Sequence, residues 1–176
     1  MKKTRLLCVL FTLVLCFSCS KDVDPIDSPI QAELSGLWLA TAYSIEGRTR
    51  TVGNKETSYY DFAATAGLFE FSITFIENPD TFDLNGYYYL DHTIITDDGQ
   101  IYTYNNFNTF DNQGDWEIEG NVLKLIEEEE GREAFISQLT DNILILKIHS
   151  TSSDTDPQTL TTTSTNKTET FTFVRN

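Results

Sequence analysis

The chain predicts an all-β protein, an antiparallel up-and-down barrel of about eight strands, and three observations carry that prediction. From Phe69 onward Phe69, Phe71, Ile73 and Phe75 fall on one side of an extended chain, while Glu70, Ser72 and Thr74 fall on the other. Turn signals such as Asp97-Asp98-Gly99 and Glu119-Gly120-Asn121 punctuate the chain between runs of β-favouring residues. No helical segment separates those runs, so neighbours bury one face best by closing on themselves, and about eight strands leave room for side chains plus one small ligand. A two-sheet sandwich satisfies the same alternation.

Composition bounds the rest. Of the 176 residues, removal of a targeting segment leaves roughly 140, one domain able to bury about two thirds of its unfolded surface. The cysteines are Cys8, Cys16 and Cys19, all near the N-terminus, so the folding part holds neither a disulfide nor thiolate ligands. Formal charge is −15; Lys2, Lys3 and Arg5 lie in the removable segment, and without them 9 cations face 27 acids, a balance of −18. So acidic a surface repels phosphate backbones and anionic headgroups, which argues against nucleic acid as a partner.

Residues 1–18 read as a signal peptide: three cations, then an apolar run from Leu6 to Phe17, too short for the ~20 residues of a membrane-spanning helix. Cys16-Phe17-Ser18-Cys19 resembles a loose bacterial lipobox. Small Ser18 precedes Cys19, whereas bulky Leu15 precedes Cys16, so Cys19 is the expected lipidated residue. Two or three acyl chains, at about 0.8 kcal/mol per buried methylene, would hold the chain on a bilayer for good. Ser20 after the cysteine resembles outer-membrane sorting, and Lys21-Asp22-Val23-Asp24 resembles the surface-export tag of Bacteroidetes-type lipoproteins, which admits either a periplasmic or a surface-exposed orientation. Residues 19–33 form the tether, marked by Pro25 and Pro29. Within it Ser28, Pro29 and Gln31 predict a short helical turn that Gly36 ends.

The barrel domain spans residues 34–176. Residues 34–45 open it, with Gly36-Leu37-Trp38 leading into a β-rich run. Residues 63–67, Ala-Ala-Thr-Ala-Gly, predict either a short helix over a barrel mouth or a loop. Asn78-Pro79-Asp80 breaks the strand that starts at Phe69, and Asn85-Gly86 reads as a turn or bulge between residues 82–84 and 87–90. Residues 93–96 and 101–104 make a hairpin. Residues 114–118 and 122–126 make another, residues 132–139 return past the acidic tip at Glu127, and residues 143–148 form an apolar strand buried in part on both faces. The threonine-rich stretch from Asp154 to Thr168 predicts a long loop, after which residues 169–174 supply a last strand with Phe171 and Phe173 inward. Eight or nine strands result.

Those residues carry a resemblance. Gly36-Leu37-Trp38 resembles the Gly-x-Trp opening of lipocalins, and Gly114-Asp115-Trp116-Glu117-Ile118-Glu119-Gly120-Asn121-Val122-Leu123 resembles a hairpin of lipocalin-like lipoproteins of Bacteroidetes type. The ending at residues 139–147 and 171–175 is similar to that family too. No Thr-Asp-Tyr loop of the better-studied lipocalins is visible. The resemblance implies an outer-membrane lipoprotein whose barrel holds a small apolar or amphiphilic ligand, lined by Trp38, Phe71, Phe75, Tyr87, Tyr89, Tyr102, Tyr104 and Trp116. Trp38 and Trp116, each after a Gly-x step, are expected to close the floor.

Chemistry is otherwise sparse. His92 and His149 lack a second histidine nearby, and consecutive acids at residues 127–130 point to opposite faces in turn, so no metal site is expected. No Gly-x-Ser-x-Gly elbow exposes a serine, no carboxylate pair stands out, and no cofactor motif occurs, so the chain reads as no enzyme. The alternative to ligand binding is an accessory lipoprotein that meets an outer-membrane protein or a glycan through its outer face or loops, where aromatics near Asn105, Asn106 and Asn108 could stack on the partner.

Overall fold

A computed structural model describes residues 33–53, 56–127 and 130–176; the expected signal peptide, Cys19 and the helical turn at residues 28–31 lie outside the described residues. Eight antiparallel strands run β1 (Gly36–Val52), β2 (Thr57–Ile76), β3 (Thr81–Thr96), β4 (Ile101–Glu119), β5 (Val122–Glu127), β6 (Glu130–Leu139), β7 (Ile143–Asp156) and β8 (Thr161–Arg175). Each pairs with the next, and β1 pairs with β8, so the sheet closes as an up-and-down barrel.

Inward positions follow the expected alternation. Phe71, Ile73 and Phe75 of β2 are buried together with Phe82, Leu123, Leu144 and Phe173 from other strands. At one end Trp38 is fully buried, and its indole N–H donates to the Leu34 carbonyl at 2.7 Å. Below it the Arg175 guanidinium lies 4.3 Å from the ring centre and donates to the carbonyls of Glu33, Ser35 and Asp141, tying the last strand to the residues before the first. Trp116 is half-buried at the same end, edge-on to Phe75 at 5.9 Å, and its N–H donates to the Ile76 carbonyl at 3.0 Å. Both tryptophans therefore stand at the floor.

Three expectations about elements are corrected. Residues 63–67 continue β2, with a bulge between Ala66 and Leu68; small Ala64 is buried inward, and a side chain at Gly67 would meet the Asp91 carboxylate. Asn85-Gly86 sits inside an unbroken β3, where Gly86 takes φ 134° and a Cβ added there would lie 2.2 Å from the Glu70 carbonyl oxygen. The threonine-rich stretch is mostly strand, in β7 and β8 up to Asp156 and from Thr161. Thr49 faces Thr165 at 2.9 Å between hydroxyls, and Thr155 faces Thr162 at 3.0 Å, so β-branched residues join across strands where no apolar core is needed. Residues 143–148 are buried in part on both faces, as expected, with Leu144 and Leu146 inward and Ile145 and Lys147 half-buried on the other side.

Strand lengths give the barrel an uneven rim. β5 has 6 residues and β6 has 10, whereas the other six strands have 14 to 20. The lower half is therefore a closed eight-stranded barrel. The upper half is a six-stranded sheet in the order β4-β3-β2-β1-β8-β7, because β4 pairs with β5 only over Asp115 to Glu119 and β7 pairs with β6 only up to Lys147.

Candidate binding surface

The resemblance to lipocalins implies a site in the barrel interior. Above the tryptophan floor six rings fill the lumen. Tyr43 stacks on Phe171 at 4.3 Å, Tyr88 meets Phe110 at 4.9 Å and Tyr43 at 5.2 Å, and Phe71 meets Phe110 at 5.2 Å and Phe173 at 5.9 Å. What remains between Ile73, Leu84, Phe110, Leu125 and Phe171 is a cavity of about 40 Å³. Small-molecule pockets run to roughly 300–1,000 Å³. The aromatic cluster occupies the volume that a ligand would take.

A polar layer caps these rings. The buried Tyr43 hydroxyl donates to one Glu169 oxygen at 2.8 Å, and Lys167 Nζ donates to the other at 2.7 Å. Burial, then the adjacent Glu169 charge, pushes the Tyr43 phenol far above its ordinary range. Tyr88 shifts the same way, chiefly through burial and then the Glu169 charge, against smaller opposing effects of the Tyr43 hydrogen bond and Arg132. Both phenols stay protonated, and that of Tyr43 donates to Glu169. Such groups stabilise a carboxylate inside the barrel; they supply no base.

The residues expected to line a ligand divide by position. Trp38, Phe71 and Phe75 are core, and Trp116 is at the floor. Tyr87 and Tyr89 stand on the outer face, since the buried Tyr88 between them faces inward. Tyr102 and Tyr104, each 52% exposed, lie on the inner side of β4 but above the closed barrel, where no strand among the described residues covers them. The two histidines are on opposite faces: His92 stacks on Tyr104 at 4.5 Å and bonds Asn106 at 2.8 Å, while His149 meets Thr168 at 2.9 Å on the outside. Among the described residues no three His, Cys, Asp or Glu side chains come together as a metal set.

Outside, the register builds a row. Leu68 pairs with Tyr89 and Tyr89 with Phe107, so three side chains line up across β2, β3 and β4. They are 59%, 41% and 53% exposed. Phe107 lies 4.9 Å from Tyr89 and 6.1 Å from Tyr87, and the Tyr87 hydroxyl donates to Glu70 at 3.1 Å, holding that ring upright. A depression of about 560 Å³ borders the row, lined by Leu39, Phe69, Glu70, Asn85, Gly86 and Tyr87. The sequence showed the aromatics but not the row, because the bulge after Ala66 sets which side Leu68 faces.

A second outer depression, about 620 Å³, crosses the upper sheet between Glu46, Arg48, Asp61, Ile95, His149 and Thr168. Its Arg48–Asp61 pair is bidentate, at 2.5 and 2.9 Å, and Arg48 holds the Asp61 carboxyl below the usual range chiefly through that hydrogen bond. Solvent screens this pair, so it contributes shape more than stability.

The fold thus defines a filled, all-β, up-and-down barrel with an apolar row and two depressions on its outside. Compared with protein-family models, curated proteins and solved structures, the chain finds no match.

Proposed function

We propose that this chain is a non-catalytic binding protein of the bacterial cell envelope, anchored in the outer membrane through acylated Cys19, that recognises a protein partner through the Leu68–Tyr89–Phe107 row. One observation carries the reading: large apolar side chains stand in contact on the outer face, while the cavity between Ile73, Phe110 and Phe171 inside has about 40 Å³. Exposed contiguous apolar side chains on a folded domain mark interaction surfaces, and aromatic residues supply much of the energy in such contacts. The lipocalin-like resemblance supports the envelope location and the barrel, and its expected small ligand shifts outward. An apolar or amphiphilic molecule finds room in the 560 Å³ depression beside Tyr87, with Glu70 and Asn85 to hold a polar end, and that is the second reading.

Site-specific photo-cross-linking in intact cells tests the first reading. A probe at Tyr89 or Phe107 should capture one distinct protein, and a probe at outward Glu133 on β6 should not. Equal capture at all three positions, or none from the row, would overturn it.

A further inference from the structure

The upper half of the barrel has two free edges, and they differ in chemistry. Among the described residues, residues 101–111 of β4 have β3 on one side and no strand on the other, since β5 pairing begins at Asp115. Alternate residues there turn backbone N–H and C=O groups away from β3. At ~3.4 Å per residue this leaves roughly 35 Å of unpaired edge. The facing edge is the upper part of β7, residues 148–156, which carries His149, Asp154 and Asp156. Charged residues blunt a sheet edge against pairing. The β4 edge has no such protection: residues 101–110 read Ile-Tyr-Thr-Tyr-Asn-Asn-Phe-Asn-Thr-Phe, without Asp, Glu, Lys, Arg, His or Pro.

We infer that a second copy of this chain pairs with β4 along residues 101–111, antiparallel and about a two-fold axis, joining two six-stranded upper sheets into one. Charge selects this occupant. Across the two-fold axis residue 111 lies opposite residue 101, so the run's one acid, Asp111, meets Ile101, and in a chain of net charge −15 the uncharged residues 101–110 let two copies approach without opposed like charges. An edge built for a foreign basic or acidic strand would carry the complementary sign. Side-chain chemistry agrees, because Asn106, at the centre of the run, donates and accepts through one amide and so matches its own counterpart across the axis. Tyr102, Tyr104, Phe107 and Phe110 supply aromatic partners for cross-strand pairs. Since paired residues share a face, the outward row of one copy, which ends at Phe107 on β4, continues into that of the other. The pairing would double the apolar platform, but the inference stands on the edge and holds whatever docks on the row.

Sedimentation equilibrium of the full chain, with hydrogen exchange read peptide by peptide, tests it. The wild type should weigh two chains, and dilution to monomer should raise the exchange rate at residues 101–111 at least tenfold, more than at β1 or β2. Asn105→Lys on the open edge should give one chain per particle with the melting temperature of the diluted, monomeric wild type. Ser152→Lys on the β7 edge should leave two. Should Asn105→Lys fail to fold, the exchange of the wild type on dilution decides alone. A monomeric wild type at all concentrations, a dimer that Asn105→Lys leaves intact, loss of the dimer in Ser152→Lys, or edge amides protected only in complex with another protein would overturn the inference.

Discussion

Truncating Trp38 to alanine removes the piece on which the closed end rests, and its cost can be worked from the contacts. The side chain is fully buried, donates its N–H to Leu34, and carries the Arg175 guanidinium at 4.3 Å. Replacing a large buried aromatic by alanine costs about 3–5 kcal/mol through lost transfer energy and the cavity left behind. Loss of the cation–π contact adds about 0.5–2 kcal/mol, partly offset because Arg175 keeps its three carbonyl acceptors. Against a typical domain stability of about 5–15 kcal/mol, the expected loss is near 4 kcal/mol, enough to leave the variant marginal. Urea unfolding followed by circular dichroism gives the difference from the midpoint and slope. Trp38→Phe should fall between the two. A loss below about 1 kcal/mol for Trp38→Ala would refute the argument that this residue closes the floor, since a cavity of that size cannot be free of cost.

Three further outcomes follow from the same geometry. Gly86→Ala should destabilise by roughly 2–5 kcal/mol, because a Cβ there sits 2.2 Å from the Glu70 carbonyl oxygen in a backbone with φ 134°; a melting temperature equal to wild type would contradict this. Tyr43 and Tyr88 both have phenols raised above the ordinary value of 10.0, so the unfolded chain ionises first as pH rises. Their contribution is therefore intact below about pH 10 and lost above it, at about 1.4 kcal/mol per pH unit for each group. Tyr43→Phe should lose about 1 kcal/mol at neutral pH, where its hydrogen bond to Glu169 goes, and fall less steeply in alkali; an unchanged alkaline slope in urea titrations would count against the polar layer. Cys19→Ser should release the protein from membranes in a fractionation experiment, and release by Cys16→Ser instead would reassign the anchor.

How much of this was legible depends on where each residue stands relative to the core. The alternation of Phe69, Phe71, Ile73 and Phe75 was readable because the lower barrel has one dry face, and the hairpins at Asp97 and Glu119 were readable because their turns need glycine at positive φ, as Gly99 and Gly120 show. The threonine stretch was not, because pattern reading finds strands by what they bury, and residues 161–168 sit above the core and pair through hydroxyls instead. The same blindness hid the upper part of β4. Asn106 and Asn108 stand on inward positions that no strand among the described residues covers, so polar residues occupy them and the run resembles a loop. Tyr87 and Tyr89 were visible as aromatics, yet which face each takes depends on the register against β2 and on the bulge after Ala66. That the lumen is full could not be read from residue types, since Tyr43, Phe110 and Phe171 come from three strands far apart in sequence.

Native mass spectrometry of the protein extracted gently from its own membrane tests most directly whether the barrel works from the outside. With only about 40 Å³ between Phe110, Leu125 and Phe171, the folded chain should carry its acyl mass and no small molecule that survives transfer to the gas phase and leaves only on unfolding. A stoichiometric apolar adduct released together with the fold would show that the rings of Phe71, Tyr88 and Phe110 part to admit a ligand, and would return the site to the lumen.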